Sequence, residues 1–360
     1  MRKALIIGAG ISGCVLAEQL SARYHVTVID KRNHIGGNSY DHEVNGMFVH
    51  RYGPHIFHTD KQHIWDYVNW FCGWRKYQHR VLAEIAGHLV PLPLNFTGID
   101  VIYQDAEKVK RLLLETFPER NTVSILDLLN SDDEDIAEFG EFVYEHVYAG
   151  YSRKQWGTDP KALSKEVLRR VPVRLTYANR YFDDAYQALP IDGYTHLCDN
   201  LLNTSRVTLR LNREMTEENF NEYDVIYYTG RLDEFFDYSG GRLPYRKLRI
   251  ETERLPNPQQ PCFVQNYTYA QPEYTRTSDY ACISDKCLPK TVVATEYPGT
   301  EGFDAWPLLT DVSKTLVRRY VEEAQKLSKV IFCGRLAEFR YYDIDDAIDN
   351  ALRKAQEALV

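Results

Sequence analysis

Apolar positions run in short unbroken blocks near the N-terminus and, from about residue 62 to 170, recur about one helical turn apart. The block ALIIGAGISG has the pattern of a buried strand flowing into glycines, a helix-like stretch follows, and VTVID reads as a second buried strand. Residues 1–58 therefore predict a strand, a helix, a strand, a glycine turn and a short extended pair. From about 62 to 170 the period changes: DKQHIWDYVNWF, DAEKVKRLLLETF and EDIAEFGEFVYEHVYAGY each repeat apolar residues at three- and four-residue spacing, as helices do. SDDEDIAEF marks a helix start, with Ser131 or Asp132 as cap and acids in the first turn, while Pro91 and Pro93 predict a loop interrupting the helices.

From about 171 to 310 the segments RVTLRL, YDVIYYTG, KLRIETERL, CFVQNYTY and KTVVATEY are rich in β-branched and aromatic residues and are broken by Pro, Asn and Gly, which predicts an antiparallel sheet. YDVIYYTG, ending at Gly230, also fits a strand returning to the N-terminal domain. The tail reads as a helix (VSKTLVRRYVEEAQKL), a strand (KVIFCG) and a last helix (IDDAIDNALRKAQEAL). The fold class is mixed α/β. A discontinuous Rossmann-type domain is expected from 1–62, 205–240 and 325–360, with an inserted, mainly helical domain at 63–170 and an antiparallel sheet domain at 171–204 and 241–324.

Composition narrows the chemistry. At 360 residues, with 44% hydrophobic and 26% charged positions, the chain has the make-up of a soluble protein of two or three domains. A formal charge of −8 argues against a general nucleic-acid binder, and no segment matches a signal peptide or a membrane span, so a cytoplasmic setting is expected. Seven scattered cysteines without a CxxC pair predict neither a metal site nor a disulfide framework. Tyr is over-represented at 26 residues, and its flat apolar face with a polar tip suits base stacking and phosphate or hydroxyl contacts.

The candidate chemistry begins at Gly8, Gly10 and Gly13. These glycines permit a tight turn and let the N–H groups of a helix start approach a pyrophosphate, while Asp30, closing the second strand, suits a ribose hydroxyl. The chain continues with KRNHIGGNSY and then YGPHIFHT, an extension that points to a flavin rather than to a freely exchanging nicotinamide.

Over nearly its whole length the chain resembles the bacterial flavin-dependent UDP-galactopyranose mutases. The matching stretches, in order, are KRNHIGGNSY, RYGPHIFHT, GYSRKQWG, VPVRLTY, YFDDAYQALPIDGYT, YYTGRLDEFFDY, YRKLRIETER, EYTR, TEYP and GRLAEFRYYD. Each is modest alone; their joint occurrence in this order is specific. The resemblance implies interconversion of UDP-galactopyranose and UDP-galactofuranose, with N5 of reduced FAD as nucleophile on the anomeric carbon and UDP as leaving group. It implies FAD contacts at Gly8, Gly10, Ser12, Gly13, Asp30 and Lys31, and further along at Gly37, Asn38, His55, Gly230, Arg335 and Asp343. Arg174 and Arg276 match the arginines that clamp the diphosphate, where guanidinium groups meet the charge that develops on the leaving group. Tyr151 and Trp156 match the base-binding positions on a mobile substrate loop, and Asn266 matches a further uridine-diphosphate contact.

Tyr181 and Tyr341 match tyrosines near the diphosphate and sugar, with Tyr186 close by in sequence; Glu296 belongs beside the sugar pocket. His55 and His58 sit where the family places residues beside the isoalloxazine, either tuning flavin ionisation or hydrogen-bonding its edge. The family also implies a homodimer and reduction by NAD(P)H or another cellular reductant. The chain departs from the family at Trp306, where a tyrosine commonly reaches the diphosphate, at His79, where an asparagine often faces the sugar, and in TSDYACI after Arg276. These departures leave open the same chemistry on another sugar nucleotide, UDP-N-acetylgalactosamine or a dTDP-6-deoxy sugar. A conventional FAD oxidoreductase or a non-catalytic sugar-nucleotide sensor are more distant alternatives.

Overall fold

In the computed structural model, which describes residues 2–157, 171–286 and 288–359, the first glycine run joins β1 (Arg2–Ile7) to α1 (Ile11–Leu20), and β2 (Tyr24–Asp30) follows. The chain divides into two compact units, 1–77 with 184–246 and 304–360, and 78–183 with 247–303. The helical and sheet segments expected as separate domains share the second unit over 78–183 and 247–303, while 63–77, 184–204, 241–246 and 304–324 belong to the first unit.

The first unit is built on a parallel sheet in the order β12 (Val207–Leu211), β2, β1, β13 (Val225–Tyr228), β19 (Val330–Phe332). Ile7 lies opposite both Ile29 and Tyr228, so β1, β2 and β13 end level with one another. In such sheets the ligand crevice lies outside the carboxyl ends of the strands, here at the glycine turn. RVTLRL thus pairs parallel with β2 and is no part of the antiparallel sheet read for its region. Helix α1 buries Cys14, Val15, Leu16, Ala17 and Leu20 between α11 (Ile344–Leu359) and α8 (Gly193–Leu202).

A hairpin, β3 (Asp41–Val44) and β4 (Met47–His50), turns at Asn45 and Gly46, both at positive φ, as a tight two-residue turn demands. A three-stranded antiparallel sheet, β5 (Phe57–Thr59), β11 (Tyr186–Pro190), β6 (Trp74–Lys76), carries α2 (Gln62–Asn69) beside it. The short α9 (Leu232–Phe235) and the long α10 (Asp311–Ala324) complete the unit. Helix α8 interrupts a region read as strand. Its stripe of Tyr194, Leu197, Cys198 and Leu201 is buried, and its cap comes from the distant hairpin: Asp41 accepts from Tyr194 N at 2.6 Å and Thr195 N at 2.9 Å.

In the second unit β14 (Tyr245–Pro256), β17 (Lys290–Gly299), β16 (Arg276–Asp279), β15 (Val264–Tyr267), β7 (Val81–Ile85) and β8 (His88–Leu92) lie side by side. All these pairs are antiparallel except β15 with β7. The loop expected at Pro91 is therefore a strand: Val81, Ala83, Ile85, Val90 and Leu92 are buried by alternation, Ala86 and Gly87 make the turn, and Pro91 is tolerated because β8 is an outer strand. Helices α3 (Phe96–Ile102), α4 (Ala106–Thr116), α5 (Ile125–Leu129), α6 (Glu134–Val143) and α7 (Gly150–Trp156) accompany the sheet. A two-residue ladder joins β9 (Thr122–Val123) to β10 (Val173–Arg174), and β18 spans Phe303–Pro307. Asp133, not Ser131 or Asp132, caps α6. Its Oδ1 accepts from Asp135 N at 3.0 Å and Ile136 N at 3.1 Å, while Ser131 Oγ is spent on Asp133 N. The single long helix expected there opens into a wider π turn at Tyr144–Ala149 before α7 begins. The expected substrate loop beyond Gly157 lies outside the described residues up to position 170.

Candidate functional site

The first unit holds a cleft of about 460 Å³ at the carboxyl ends of β1, β2 and β13. Its floor is glycine by necessity. A Cβ on Gly8, at φ +111°, would lie 2.0 Å from Thr229 Oγ1, and one on Gly13 would lie 1.9 Å from Gly8 O. Gly37 approaches Gly10 so closely that its Cβ would stand 2.8 Å from the Gly10 Cα, which seats the second glycine loop against the first. Helix α1 starts with no side-chain cap and no acid in its first turn, so its leading N–H groups face the cleft.

Asp30 is buried and fixed: Oδ2 accepts from Ala9 N and Oδ1 from Arg32 N, each at 2.8 Å. Asn38 is held on both sides of its amide, donating to Asp304 O and accepting from Arg32 Nη2, each at 3.1 Å. Gly8, Gly10, Ser12, Asp30, Lys31, Gly37, Asn38, His55, Gly230, Arg335 and Asp343 all line this cleft; Gly13 lies behind it and fixes the turn. Lys31 is paired at its rim with Glu234 at 2.7 Å. Arg335 turns its guanidinium onto Tyr342 O and Ala305 O and stands 5.0 Å from the Tyr341 ring, which braces the last loop at the cleft wall.

The two histidines of the YGPHIFHT stretch part company. His55 lines the cleft; its Nδ1 is 2.8 Å from Gly53 O, and its backbone N–H donates to His50 Nδ1 at 3.0 Å. His50 is fully buried, which drives its pKa down to about 3 and keeps it the neutral acceptor that this bond requires. His58 instead forms an ion pair with Asp184 at 3.1 Å. Burial would lower its pKa, but Asp184, with Asp343 and Asp345 behind it, holds it above the usual histidine value. Tyr186 also leaves the expected group, since its hydroxyl meets Gln62 and its ring stacks on Trp65 at 5.1 Å. Trp306 is buried on β18.

In the second unit, cross-strand register builds a polar row. Asn266 on β15, Arg276 on β16 and Glu296 on β17 are direct partners and share one face of the sheet. Glu296 is 0% exposed, and burial pushes its carboxyl pKa up despite Arg276 Nε at 2.7 Å. Arg174, also buried, donates from Nη1 to Asp183 Oδ1 at 2.6 Å and from Nη2 to Tyr181 O at 3.1 Å. Arg180 reaches the same Asp183 oxygen at 2.9 Å, and the two arginines hold the Asp183 pKa down against its burial. His79 is buried 5.5 Å from the Tyr181 ring, between Phe182 and Phe263, and its carbonyl accepts from Tyr181 N at 2.7 Å. Tyr151 and Trp156 both ride on α7.

Thr229, His50, Asp183 and Asp184 were missed from sequence. Thr229 follows a recognisable strand, but the other three matter only through partners that folding brings to them. Among the described residues no group of His, Cys, Asp and Glu is arranged to hold a metal ion, and no helix is long and apolar enough to cross a membrane.

Comparison with known proteins identifies the fold and the family. Residues 146–341 match the model of the UDP-galactopyranose mutase family, and residues 6–71 match an NAD(P)-binding Rossmann-like domain. The chain is 34% identical to a probable UDP-galactopyranose mutase of Klebsiella pneumoniae, over 99% of this chain and 94% of that one. It is equally 34% identical to a dTDP-fucopyranose mutase of Escherichia coli, over 99% of this chain and 98% of that one. A crystal structure of reduced UDP-galactopyranose mutase shares the fold with a TM-score of 0.79 at 14% identity, covering 100% of this chain and 94% of that one. With the family model spanning more than half of its length and full-length relatives above 30% identity, the chain belongs to the UDP-galactopyranose mutase family of isomerases.

Proposed function

We propose that the protein interconverts UDP-galactopyranose and UDP-galactofuranose with a bound, reduced FAD. The cleft suits the cofactor: two abutting glycine loops whose Cβ positions are already occupied, an uncapped helix start and a buried Asp30 together fit a dinucleotide pyrophosphate and a ribose. Gly8, Gly10 and Gly37 would meet the pyrophosphate, Asp30 the ribose, and His55 the redox end. When bound and reduced, the flavin supplies a nucleophilic nitrogen for the anomeric carbon.

The chain's own groups do the rest. Arg276 and Arg174 offer guanidinium donors to the diphosphate as negative charge grows on it, and the pairing of Arg276 with Glu296 sets its donor in place before the charge develops. Glu296 fixes Arg276 at 2.7 Å, and Asn266, next in the row, adds an amide for the nucleotide. Tyr151 and Trp156 give flat faces for the uracil, Tyr181 and Tyr341 give hydroxyls near phosphate and sugar, and His79 and Trp306 border the sugar.

The observation that carries this reading is the Asn266–Arg276–Glu296 row, where a buried carboxylate holds an arginine on the same sheet face as an amide. The test is anaerobic conversion of UDP-galactofuranose to the pyranose by dithionite-reduced holoenzyme, followed by chromatography. Conversion is expected only with reduced flavin. Substrate oxidation by the oxidised enzyme, without isomerisation, would overturn the proposal. A second reading, the same chemistry on a dTDP-6-deoxy sugar, is favoured by the equal identity to the dTDP-fucopyranose mutase, with His79 and Trp306 as the positions where the chain departs from the common family pattern. Assaying dTDP-fucopyranose and UDP-N-acetylgalactosamine alongside separates the substrates.

A further inference from the structure

Helix α7 is tied to the connection between β15 and β16 by a single ammonium group. Lys154 Nζ donates to the carbonyl oxygens of Tyr267, Pro272 and Tyr274, each at 2.9 Å. All three acceptors lie between Asn266, near the end of β15, and Arg276, the first residue of β16. The same helix meets the same turn at the backbone: a Cβ on Gly150 would lie 2.1 Å from Thr268 O and 3.1 Å from Tyr269 C. Gly150 and Lys154 are one helical turn apart and so share the face that docks on the turn, with Tyr151 three residues before the lysine.

An ammonium has three donors and a compact charge, which suits three carbonyls converging on one point; a planar guanidinium cannot satisfy that geometry. The site is half-buried, and burial lowers the lysine pKa to about 8, so the three carbonyls are what the ammonium has in place of part of its water. The tie extends further, since the Tyr269 hydroxyl accepts from Ala86 N at 2.7 Å in the β7–β8 turn.

We propose that Lys154 is a positioning residue for the nucleotide. It locks α7 to the β15–β16 turn, so that Tyr151 and Trp156 on one side and Asn266 and Arg276 on the other are set as one group for the uridine and the diphosphate of the same ligand. This rests on the UDP-sugar reading above. Fixing both ends together spares the ligand the cost of ordering each separately.

The test uses full-length holoenzyme carrying Lys154→Met or Lys154→Arg, with calorimetric UDP binding and steady-state kinetics of the reduced enzyme. Losing three charge-assisted bonds in Lys154→Met is expected to raise the UDP Kd and the KM by about tenfold or more, while kcat changes less than about threefold and flavin content is unchanged. Lys154→Arg keeps the charge without the geometry and recovers only part of the affinity. In a double-mutant cycle on UDP binding, Trp156→Ala is expected to cost less in the Lys154→Met background than in wild type. A lower melting temperature with UDP Kd and KM unchanged, or strict additivity in the cycle, would overturn the proposal. Should Lys154→Met not fold, wild-type affinity in Lys154→Arg would overturn it equally. A wild-type holoenzyme that binds no UDP would remove the UDP-sugar reading and this proposal with it, whereas wild-type binding with an indifferent Lys154 removes this proposal alone.

Discussion

Arg276→Ala separates the catalytic use of the arginine from its structural pairing. Arg276 Nε stands 2.7 Å from a Glu296 carboxylate that is wholly buried, while the arginine side chain itself is 26% exposed. Truncation removes a charge-assisted contact to the leaving group, worth at least about 2 kcal/mol in the transition state, or roughly 30-fold in kcat/KM. It also strands Glu296. Burial already raises this carboxyl pKa, and Arg276 is what opposes the rise. With the arginine gone the folded-state pKa climbs further above its unfolded value.

A raised carboxyl contributes its stability below the unfolded pKa, near 4.3, and loses it as pH climbs through the folded value. Each further unit of rise therefore costs about 1.4 kcal/mol at pH above the folded value, less whatever the site recovers by admitting water. Denaturant unfolding of Arg276→Ala holoenzyme should show stability falling more steeply than in wild type as pH rises above the unfolded carboxyl value of about 4.3. Adding Glu296→Gln should flatten that slope without restoring turnover. An Arg276→Ala enzyme within threefold of wild-type kcat/KM would refute the diphosphate assignment, and recovery of turnover in the double variant would show the pair to be structural only.

Asp184→Asn tests the His58 pair. His58 has a raised pKa and Asp184 a lowered one, so their mutual stabilisation is present between about pH 4 and 6.5 and is lost above as His58 deprotonates. The variant should lose about 1 kcal/mol near pH 5.5 and approach wild type as the pH climbs through the raised His58 pKa; a loss independent of pH would refute the pair. Trp306→Tyr should preserve or raise turnover of UDP-galactopyranose if this position meets phosphate through a hydroxyl, and a collapse in kcat/KM would show a pocket built around the indole. Gly13→Ala places a Cβ 1.9 Å from Gly8 O and should cost about 1–3 kcal/mol and release flavin, read as lost absorbance at about 450 nm; full flavin content would refute the close-packed turn.

Most of the parallel sheet was legible because its signals are local. Glycines at 8, 10 and 13 and an acid closing VTVID encode their own turn and its ligand, and the tail's strand and helices appear where the pattern places them. What escaped depended on remote partners. Helix α8 takes its cap from the distant Asp41, while Asp192 at its own N-cap position makes no capping bond, so the sequence signal and the actual cap differ. The β7–β8 hairpin hides behind Pro91, which signals a break except on an outer strand. The same divide runs through the site. Arg174 and Arg276 stood out by motif, whereas Asp183 and Asp184, within YFDDAYQALPIDGYT, acquire a role only once folding sets them against Arg174 and His58.

The two arginines are prepared for an anion in opposite ways, and burial decides which is which. Arg276 is backed by a carboxylate from the neighbouring strand that is 0% exposed and cannot leave, so a phosphate approaching it adds to a fixed pair. Arg174 is backed by Asp183, whose side chain is 53% exposed, stands on no regular element and is shared with Arg180. An incoming phosphate competes with Asp183 for Arg174, and Asp183, half exposed, can turn toward solvent while keeping its pairing with Arg180. On the UDP-sugar reading, Arg276 therefore sets where the diphosphate sits and Arg174 adjusts to it. That division suits a leaving group that must depart from the sugar and return, since one contact holds it while the other follows its change in charge.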